Sequence, residues 1–336
     1  MKKTSKLIAF TFLSLAIVTS SCEKKSIKNE SGLPDLKEMS YDEREATRPA
    51  VSQSQVDYMN SLPMYDKVAF DKAIANLSHS SEKANSPIVM AIGGSNRIFQ
   101  WNGSSWDEPN PNAHLWQVEA SKNYAGGSVW GTNTTYHIFR RTGYTTWLEP
   151  NQYAALRMVV PVSNLIAYGI GVNSRIYTTI DGGVTWSLFT TATDVSWLSV
   201  GSYNQLWIIK GINTPTQPLI NNLFKYDFGT GSLMMIPTGF RSERVSTSLW
   251  GGAVYTTRIT PLSSGGYSRT MYKKINNGAF TLTPFPNEQE ISSNGDDSNL
   301  WMIGTGNNIY NSPVNGDWWN EPNTAARAYM ITAGFY

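Results

Sequence analysis

Three observations in the 336-residue sequence predict an all-β fold, a six-bladed β-propeller. A short strand that ends in an aromatic residue recurs six times, a second strand precedes it at a fixed offset, and a tryptophan follows it in most copies. The copies are spaced by roughly the 40 residues of one four-stranded propeller blade. We therefore expect antiparallel blades of four strands each, about 24 strands in all.

The chain begins with a pattern typical of a secretion signal. Lys2, Lys3 and Lys6 form a basic head. An apolar run of twelve residues, Leu7 to Val18, follows the head and ends before small residues. A membrane-spanning helix needs about 20 residues, so a cleaved signal is the better interpretation.

Residues 1–21 resemble a bacterial lipoprotein signal peptide, with Cys22, the only cysteine, at the cleavage point. Thr19 stands where leucine is commonest in that family. The resemblance implies lipidation of Cys22 and an exported protein, anchored at the outer membrane or cell surface through its N-terminal lipid. The alternative is an ordinary cleaved signal followed by an unrelated cysteine. Either way no cysteine pair exists for a disulfide.

Composition divides the remaining chain into two parts. Residues 22–86 contain nine Lys or Arg, eleven Asp or Glu and no Trp, whereas residues 87–336 contain all twelve Trp. The segment from Glu23 to Gln55 lacks periodicity and is expected to be a solvated tether. Apolar residues at three- and four-residue steps predict one short amphipathic helix over about 65–77. Residues 87–336 are expected to form the propeller.

The six copies are aligned by two markers. The strand-ending aromatic residues are Phe99, Phe139, Tyr177, Phe224, Tyr272 and Tyr310, at intervals of 40, 38, 47, 48 and 38 residues. The preceding strands carry Met90, Trp130, Tyr168, Trp207, Tyr255 and Trp301. The offset between the markers is nine residues in four copies and seventeen in the other two. The longer copies are expected to have lengthened hairpins over 211–221 and 260–268.

A third marker lies at the outer strand of each copy. Trp106, Trp147, Trp186 and Trp319 follow the aromatic residue, and three copies continue as W-x-E-P-N. Pro ends a strand because it cannot donate to the ladder, and Asn favours the turn that follows.

The ends of the repeat region predict a closed ring. The region opens in mid-copy with Ile88 to Ile92 and stops in mid-copy with Tyr329 to Ala333. One blade is therefore expected to take its innermost strand from the C-terminal side and its other strands from the N-terminal side.

Two families resemble parts of this pattern. The run Ser128 to Asn133, followed by His137-Ile138-Phe139-Arg140 and Trp147, resembles the tectonin repeat of tectonin and tachylectin-type lectins. That resemblance implies a propeller that binds glycans. The run from Thr179 to Trp186 is similar to an Asp-box, which in sialidase-type repeats is a structural turn away from the catalytic centre.

The composition and motifs favour few kinds of chemistry. The near-neutral charge, 27 Lys or Arg against 25 Asp or Glu, argues against a nucleic-acid partner. No cofactor motif is present, and the three histidines, His79, His114 and His137, lack metal-ligand spacing. Asp296 and Asp297 could hold a cation but are better explained as a hairpin turn. We expect that the protein is not an enzyme. A sialidase-like glycosidase is the weaker alternative.

With these chemistries disfavoured, ligand binding is the expected function. Aromatic faces beside amide and carboxylate groups suit the binding of sugars. The candidate ligand-binding residues are Trp101, Trp106, Glu108, Asn110, Trp147, Glu149, Asn151, Trp186, Trp319, Glu321 and Asn323. The competing interpretation is that each repeated Trp packs between blades and each Glu satisfies a turn. We expect a glycan or lipopolysaccharide ligand at several equivalent weak sites; the alternative is a scaffold for a protein partner in the envelope.

Overall fold

The computed structural model describes most of the chain beyond residue 43. The described residues are 44, 47–78, 86–122, 127–201, 205–214, 217–248, 253–263, 267–286, 290–293, 300–312 and 320–336. The predicted signal peptide, Cys22, His79, Trp319 and the Asp296-Asp297 turn lie outside them. Among the described residues, no helix is long and apolar enough to cross a membrane.

Two helices precede the strands, α1 (Gln53–Ser61) and α2 (Lys67–Ser78). The second matches the helix predicted over about 65–77. The first was not predicted. It begins with a capping box in which the Ser52 side chain accepts from the Gln55 backbone and the Gln55 side chain accepts from the Ser52 backbone.

The described strands form five four-stranded antiparallel sheets, which we number blades 1 to 5, and one three-stranded sheet. Blade 1 contains β1 (Pro87–Ile92), β2 (Ile98–Trp101) and β3 (Trp106–Asp107). Blade 2 contains β4 (Gln117–Ala120), β5 (Val129–Thr132), β6 (Ile138–Arg141) and β7 (Trp147–Leu148). Blade 3 contains β8 (Leu156–Pro161), β9 (Ala167–Gly171), β10 (Ile176–Thr179) and β11 (Ser187–Leu188).

The remaining strands follow in the same order along the chain. Blade 4 contains β12 (Val195–Val200), β13 (Leu206–Thr214), β14 (Gln217–Asp227) and β15 (Ser232–Ile236). Blade 5 contains β16 (Ser242–Thr247), β17 (Ala253–Pro261), β18 (Tyr267–Ile275) and β19 (Thr281–Pro286). The three-stranded sheet contains β20 (Glu290–Ser293), β21 (Leu300–Ile303) and β22 (Ile309–Ser312). The last strand, β23 (Met330–Phe335), completes blade 1.

The prediction of six four-stranded blades is wrong, because five described sheets have four strands and the sheet β20–β21–β22 has three. The sequence marker for a further outer strand in this copy is Trp319, which lies outside the described residues. Asn320, the next described residue, makes an isolated bridge with Asn311. An outermost strand is hydrogen-bonded on one side only, and β3, β7 and β11 are each two residues long. Strands this short depend on few ladder hydrogen bonds.

The sheets are arranged around a common axis, and the innermost strand of each sheet lies nearest to it. These strands contact one another in the cyclic order β23, β4, β8, β12, β16 and β20. β23 pairs with β1 from Pro87 opposite Phe335 to Ile92 opposite Met330. The predicted closure of one blade by both ends of the propeller segment is confirmed.

Side chains of one blade bind the free backbone edge of the next blade near the axis. Gln117 Nε2 in β4 donates to Val159 O in β8 at 3.0 Å, and Val159 N donates to Gln117 Oε1 at 3.1 Å. Thr332 in β23 likewise accepts from Ala120 N of blade 2 at 2.9 Å. Because a buried backbone group without a partner is costly, these contacts stabilise the ring as well as each blade.

The two long copies extend their hairpins as predicted. β13 and β14 pair as far as Thr214 opposite Gln217, and β17 and β18 pair as far as Pro261 opposite Tyr267. The additional residues therefore lengthen the strands of blades 4 and 5 instead of forming irregular loops.

Two arginines of the predicted tether are buried against the propeller, whereas most of the other described tether residues are exposed. Arg44 is 3% exposed and Arg48 is 7% exposed. Arg44 Nη2 donates to Trp116 O at 2.8 Å, and the guanidinium carbon of Arg48 lies 3.9 Å from the centroid of the Tyr136 ring. These cation–π and carbonyl contacts replace water around both charges, so these two arginines are packing residues and not solvated ones.

We expect Gln117→Met to lower the free energy of unfolding by about 2 kcal/mol, because it leaves Val159 N and Val159 O without their side-chain partner. Urea denaturation measures the change. Gln152→Met, an exposed site in the crossover between blades 2 and 3, is the matched control and is expected to change it by less than about 0.5 kcal/mol. Equal effects of the two substitutions would contradict this role of Gln117.

Candidate functional site

The glutamates of the W-x-E-P-N motifs contact basic side chains within the fold. Glu108 receives two hydrogen bonds from Arg97, with Nε to Oε1 at 2.5 Å. Glu149 Oε1 lies 2.5 Å from His137 Nδ1, the equivalent contact in blade 2. Glu321 lies 3.7 Å from Arg327 Nη1. These predicted ligand-binding carboxylates therefore hold the outer strand or its turn to the rest of the blade.

The asparagines of the motif close a turn and tie neighbouring blades together. Asn110 Nδ2 donates to Thr145 O in the outer hairpin of blade 2 at 2.7 Å. Asn151 Nδ2 donates to Val184 O in the outer hairpin of blade 3 at 2.9 Å. The Asn323 side chain accepts from Ala325 N at 3.0 Å, a local turn contact. Repetition of Asn thus follows from blade packing.

Most of the predicted tryptophans pack between sheets. Trp186 is 2% exposed, and its ring meets that of Trp130 in blade 2 edge to face, with centroids 6.4 Å apart. Trp101, Trp106 and Trp301 form a cluster with centroids 5.4 to 5.9 Å apart. Trp186 is therefore a packing residue, and Trp101 and Trp106 are half-buried against Trp301 of the neighbouring sheet.

The Asp-box is a structural turn, as the resemblance implied. Asp181 accepts from Thr185 N at 3.0 Å and from Thr185 Oγ1 at 2.6 Å. Gly183 has φ +91°, and a Cβ there would lie 2.9 Å from the Trp130 ring. Burial raises the pKa of Asp181, but hydrogen bonds from Thr185 and Thr179 outweigh it and hold the pKa below its ordinary value.

One predicted tryptophan lines an open cavity in the outer groove between blades 1 and 2. The cavity has a volume of about 490 Å³ and lies between the 108–116 crossover and the β6–β7 hairpin. Its lining includes Trp147, Phe139, Asn110, Asn112, His114 and Asn133. Two of these, Trp147 and Asn110, were predicted site residues. We call this cavity the 1–2 pocket.

Polar atoms in the 1–2 pocket remain available to a ligand. His114 Nδ1 donates to Ser95 O at 2.8 Å, which leaves Nε2 without a protein partner among the described residues. The side-chain amide of Asn112 also has no described protein partner. Trp147 and Phe139 are half-buried and provide apolar ring surface. The pocket therefore combines aromatic walls with free amide and imidazole groups.

The equivalent groove between blades 2 and 3 is filled by α1 of the same chain. Met59 is 1% exposed and packs with Ala154, Ala155 and Tyr177. Tyr177 Oη donates to Met59 O at 2.7 Å. The same motif positions in the 1–2 pocket are Ala113, His114 and Phe139. A groove that is open in one place is thus occupied by polypeptide one blade further on.

The chain also fills the groove between blades 3 and 4. In β11, Leu188 N donates to Pro63 O at 2.7 Å, and Leu188 O accepts from Tyr65 N at 2.9 Å. Phe70 of α2 is 2% exposed and packs on Phe189 of blade 3, with centroids 5.8 Å apart, and on Phe228 of blade 4, at 6.5 Å. These two grooves are therefore occupied by the chain itself.

A second cavity of about 410 Å³ lies between residues 49–58 and the turns of blades 2 and 3. Its polar groups are largely engaged within the protein. Tyr136 Oη donates to Pro49 O at 2.8 Å, and Gln55 Nε2 donates to Thr135 O at 3.0 Å. The cavity is therefore a less suitable polar binding site than the 1–2 pocket.

A titratable group lies near the axis, away from both cavities. Glu119 in β4 accepts from Thr332 Oγ1 at 2.9 Å. Burial raises the pKa of Glu119 to about 7, although the charge of Lys122 lowers it in part. Within the described residues, no group of three His, Cys, Asp or Glu side chains could hold a metal ion.

The site residues that the sequence did not indicate are Asn112, His114, Phe139 and Asn133. Phe139 was identified as a strand marker and His114 as a histidine without metal-ligand spacing, but neither was placed in a binding site. The available signal was position: Asn112 and His114 stand two and four residues after the motif asparagine Asn110. Such a turn lies beside the neighbouring blade in a propeller.

Comparison with known proteins supports the fold. No protein-family model and no curated protein matches the chain, so the resemblance to tectonin repeats has no independent support. TolB from Acinetobacter baumannii is similar, with a TM-score of 0.54 and 12% identity over 74% of this chain and 66% of that chain. A GH74 enzyme from Niastella koreensis has a TM-score of 0.46 and 15% identity over 68% of this chain and 42% of that chain. The match thus covers less than two thirds of each of these two proteins.

YCF48 from Cyanidioschyzon merolae is also similar, with a TM-score of 0.43 and 13% identity over 74% of this chain and 88% of that chain. Likeness at such identities concerns the fold alone. The chain has a β-propeller fold similar to that of TolB.

We expect the stability of the protein to fall as pH rises from about 4.5 to about 7, because folded Glu119 retains a proton that the unfolded chain releases in that range. Glu119→Gln removes this contribution while keeping an acceptor for Thr332. Urea denaturation of both proteins at pH 5 and pH 8 measures the difference. An unchanged pH dependence in the variant would show that Glu119 does not titrate in this way.

Proposed function

We propose that the protein is a lipid-anchored envelope protein whose propeller binds a glycan, or the sugar part of a lipopolysaccharide, in the 1–2 pocket without chemical conversion. The observation that carries this proposal is the pocket itself, an open groove with aromatic walls and unpaired polar groups. Its volume of about 490 Å³ is in the usual range for small-molecule sites.

The chemistry of the pocket matches that of a sugar ring. A pyranose has apolar C–H faces that pack on aromatic rings, and hydroxyl groups that both donate and accept hydrogen bonds. Trp147 and Phe139 supply ring surface. The Asn112 amide both donates and accepts, and His114 Nε2 accepts when Nδ1 carries the proton that is donated to Ser95 O.

Comparison with the filled groove favours a polar ligand. The groove between blades 2 and 3 has Tyr153 and Ala155 at the positions of Asn112 and His114, and it binds the apolar side chain of Met59. The 1–2 pocket therefore replaces an aromatic and a small apolar side chain by an amide and an imidazole. These replacements weaken the fit for a methionine-like side chain and suit hydroxyl groups.

The envelope location rests on the N-terminal sequence pattern. A basic head, an apolar run and Cys22 after small residues suit export followed by lipidation. A membrane-anchored protein that meets a polymeric glycan gains avidity from high local concentration, so a weak single site is useful.

We expect glycan arrays and isothermal titration to detect a bound glycan, and Asn112→Ala combined with His114→Ala to weaken it at least tenfold. The substitutions remove the two free polar groups of the pocket and keep the packed tryptophan. Tyr153→Ala, at the position of Asn112 in the groove between blades 2 and 3, is the matched control and is expected to retain full affinity.

Absence of binding to all arrayed glycans and to purified envelope polysaccharides would contradict the proposal. Equal weakening by the control would also count against it, because the bound sugar would then lie elsewhere.

A protein partner is the second candidate function. The observation that favours it is the packing of α1 in the groove between blades 2 and 3, since the 1–2 pocket occupies the equivalent position one blade earlier. Recovery of one stoichiometric partner from solubilised membranes, lost on Asn112→Ala with His114→Ala and accompanied by no glycan binding, would support this function instead.

A further inference from the structure

A separate cavity lies at the end of the strands opposite the crossovers that form the 1–2 pocket. Its volume is about 390 Å³, and it is lined by Gly127, Arg140, Arg141, Thr142, Asn164 and Tyr336. Gly127 makes the close approach of the C-terminal strand possible, because a Cβ there would lie 2.6 Å from the carbonyl carbon of Phe335. We call this cavity the arginine pocket.

Arg141 is a buried cation whose protein contacts are all neutral. It is 2% exposed. Nε donates to Gly143 O at 2.9 Å, and Nη2 donates to Tyr144 O at 2.8 Å and to Gln100 Oε1 at 2.9 Å. Nη1 has only the sulfur of Met90 at 3.7 Å. One corner of the guanidinium therefore lacks an oxygen acceptor.

No carboxylate of the described residues forms an ion pair with Arg141 or with its neighbour Arg140. Residues 123–126, which lie outside the described chain beside Gly127, read Asn-Tyr-Ala-Gly and contain no acidic side chain. Burial lowers the pKa of Arg141 from its ordinary value, and only the phenol groups of Tyr336 and Tyr144 oppose this effect. A buried charge without a counter-ion is costly in free energy.

Arg140 adds a second cation to the arginine pocket. Its Nη1 atom donates to Asn164 O at 2.5 Å, and its guanidinium carbon lies 5.7 Å from the centroid of the Trp130 ring. Its Nε and Nη2 atoms have no described hydrogen-bond partner. Two guanidinium groups thus line one cavity, with donors left over on both.

Blade architecture does not require arginine at these two positions. The equivalent pairs in blade 1, blade 3 and the three-stranded sheet are neutral: Gln100-Trp101, Thr178-Thr179 and Asn311-Ser312. Blade 4 has Lys225-Tyr226 and blade 5 has Lys273-Lys274 in the same place. Blade packing therefore does not require arginine at the second position. The Tyr144 and Tyr336 rings lie 5.4 and 4.8 Å from the Arg141 guanidinium carbon but provide no anionic partner.

We propose that the arginine pocket binds an anion that bears a phosphate or carboxylate group, with Arg141 and Arg140 as its cationic partners. Guanidinium donors match the oxygens of both groups in geometry and charge. The bound anion supplies the counter-charge that the described residues do not provide for Arg141. This site goes beyond the proposed glycan function and does not depend on it.

Isothermal titration of the full-length protein at constant ionic strength tests the proposal with inorganic phosphate, glucuronate and glucose. We expect at least one of the two anions to bind and glucose not to bind. Phosphate alone would identify a phosphate-type ligand, and glucuronate alone or both would identify a carboxylate as sufficient. Arg140→Gln and Arg141→Met are each expected to weaken anion binding at least tenfold, as loss of a guanidinium partner requires.

Arg175→Gln, which removes one positive charge from blade 3 away from the cavity, is the matched control and is expected to retain the affinity. If Arg141→Met does not fold, Arg140→Gln alone decides, since Arg140 is only half-buried. Failure of both anions to bind, or equal weakening by the Arg175 control, would overturn the site. Asn112→Ala with His114→Ala is expected to leave anion binding unchanged, which separates this result from the fate of the glycan proposal.

Discussion

The structure depends on hydrogen-bond partners for the backbone groups at the inner edge of each blade. An innermost strand has a ladder partner on one side only, and its other backbone groups lie in the centre of the ring, where an unpaired group is costly. Neighbouring blades supply the partners: Gln117 binds Val159, and Ser199 Oγ accepts from Thr247 N at 3.1 Å. Trp197 Nε1 also donates to Val245 O of the next blade at 3.1 Å. A single sheet of this kind cannot provide hydrogen-bond partners for its own inner edge. The closed ring is therefore more stable than its separate blades would be.

The repeated residues of this protein are structural, and the candidate functions lie where a copy departs from the pattern. The glutamates and asparagines of the W-x-E-P-N motif hold turns and join blades. The unusual residues are His114, which replaces the alanine found in the next groove, and the pair Arg140-Arg141, which stands where blade 1, blade 3 and the three-stranded sheet have neutral residues. A position that every copy shares is explained by packing that every copy needs. A polar or charged exception requires a local explanation.

The N-terminal segment decides which grooves remain open. Residues 44–78 place Arg44 and Arg48 against Trp116 and Tyr136 and then lay α1 and α2 into successive grooves. Similar grooves thus serve two purposes, as docking sites for the chain itself and as a cavity open to other molecules. This use of one fold explains why a repeat count overestimates the number of ligand sites.

Sequence patterns were enough to predict the all-β class, the position of most strands, the closure of blade 1 by β23 and the turn formed by the Asp-box. These features depend on alternation, turn residues and spacing within one copy, which can be recognised in a short stretch of sequence. The number of four-stranded blades, the burial of Arg44 and Arg48, and the role of Trp147 instead of Trp186 as a pocket wall became apparent from the folded chain. These outcomes depend on contacts between residues far apart in the chain, such as Arg44 with Trp116, and no local pattern records which surface the chain itself covers.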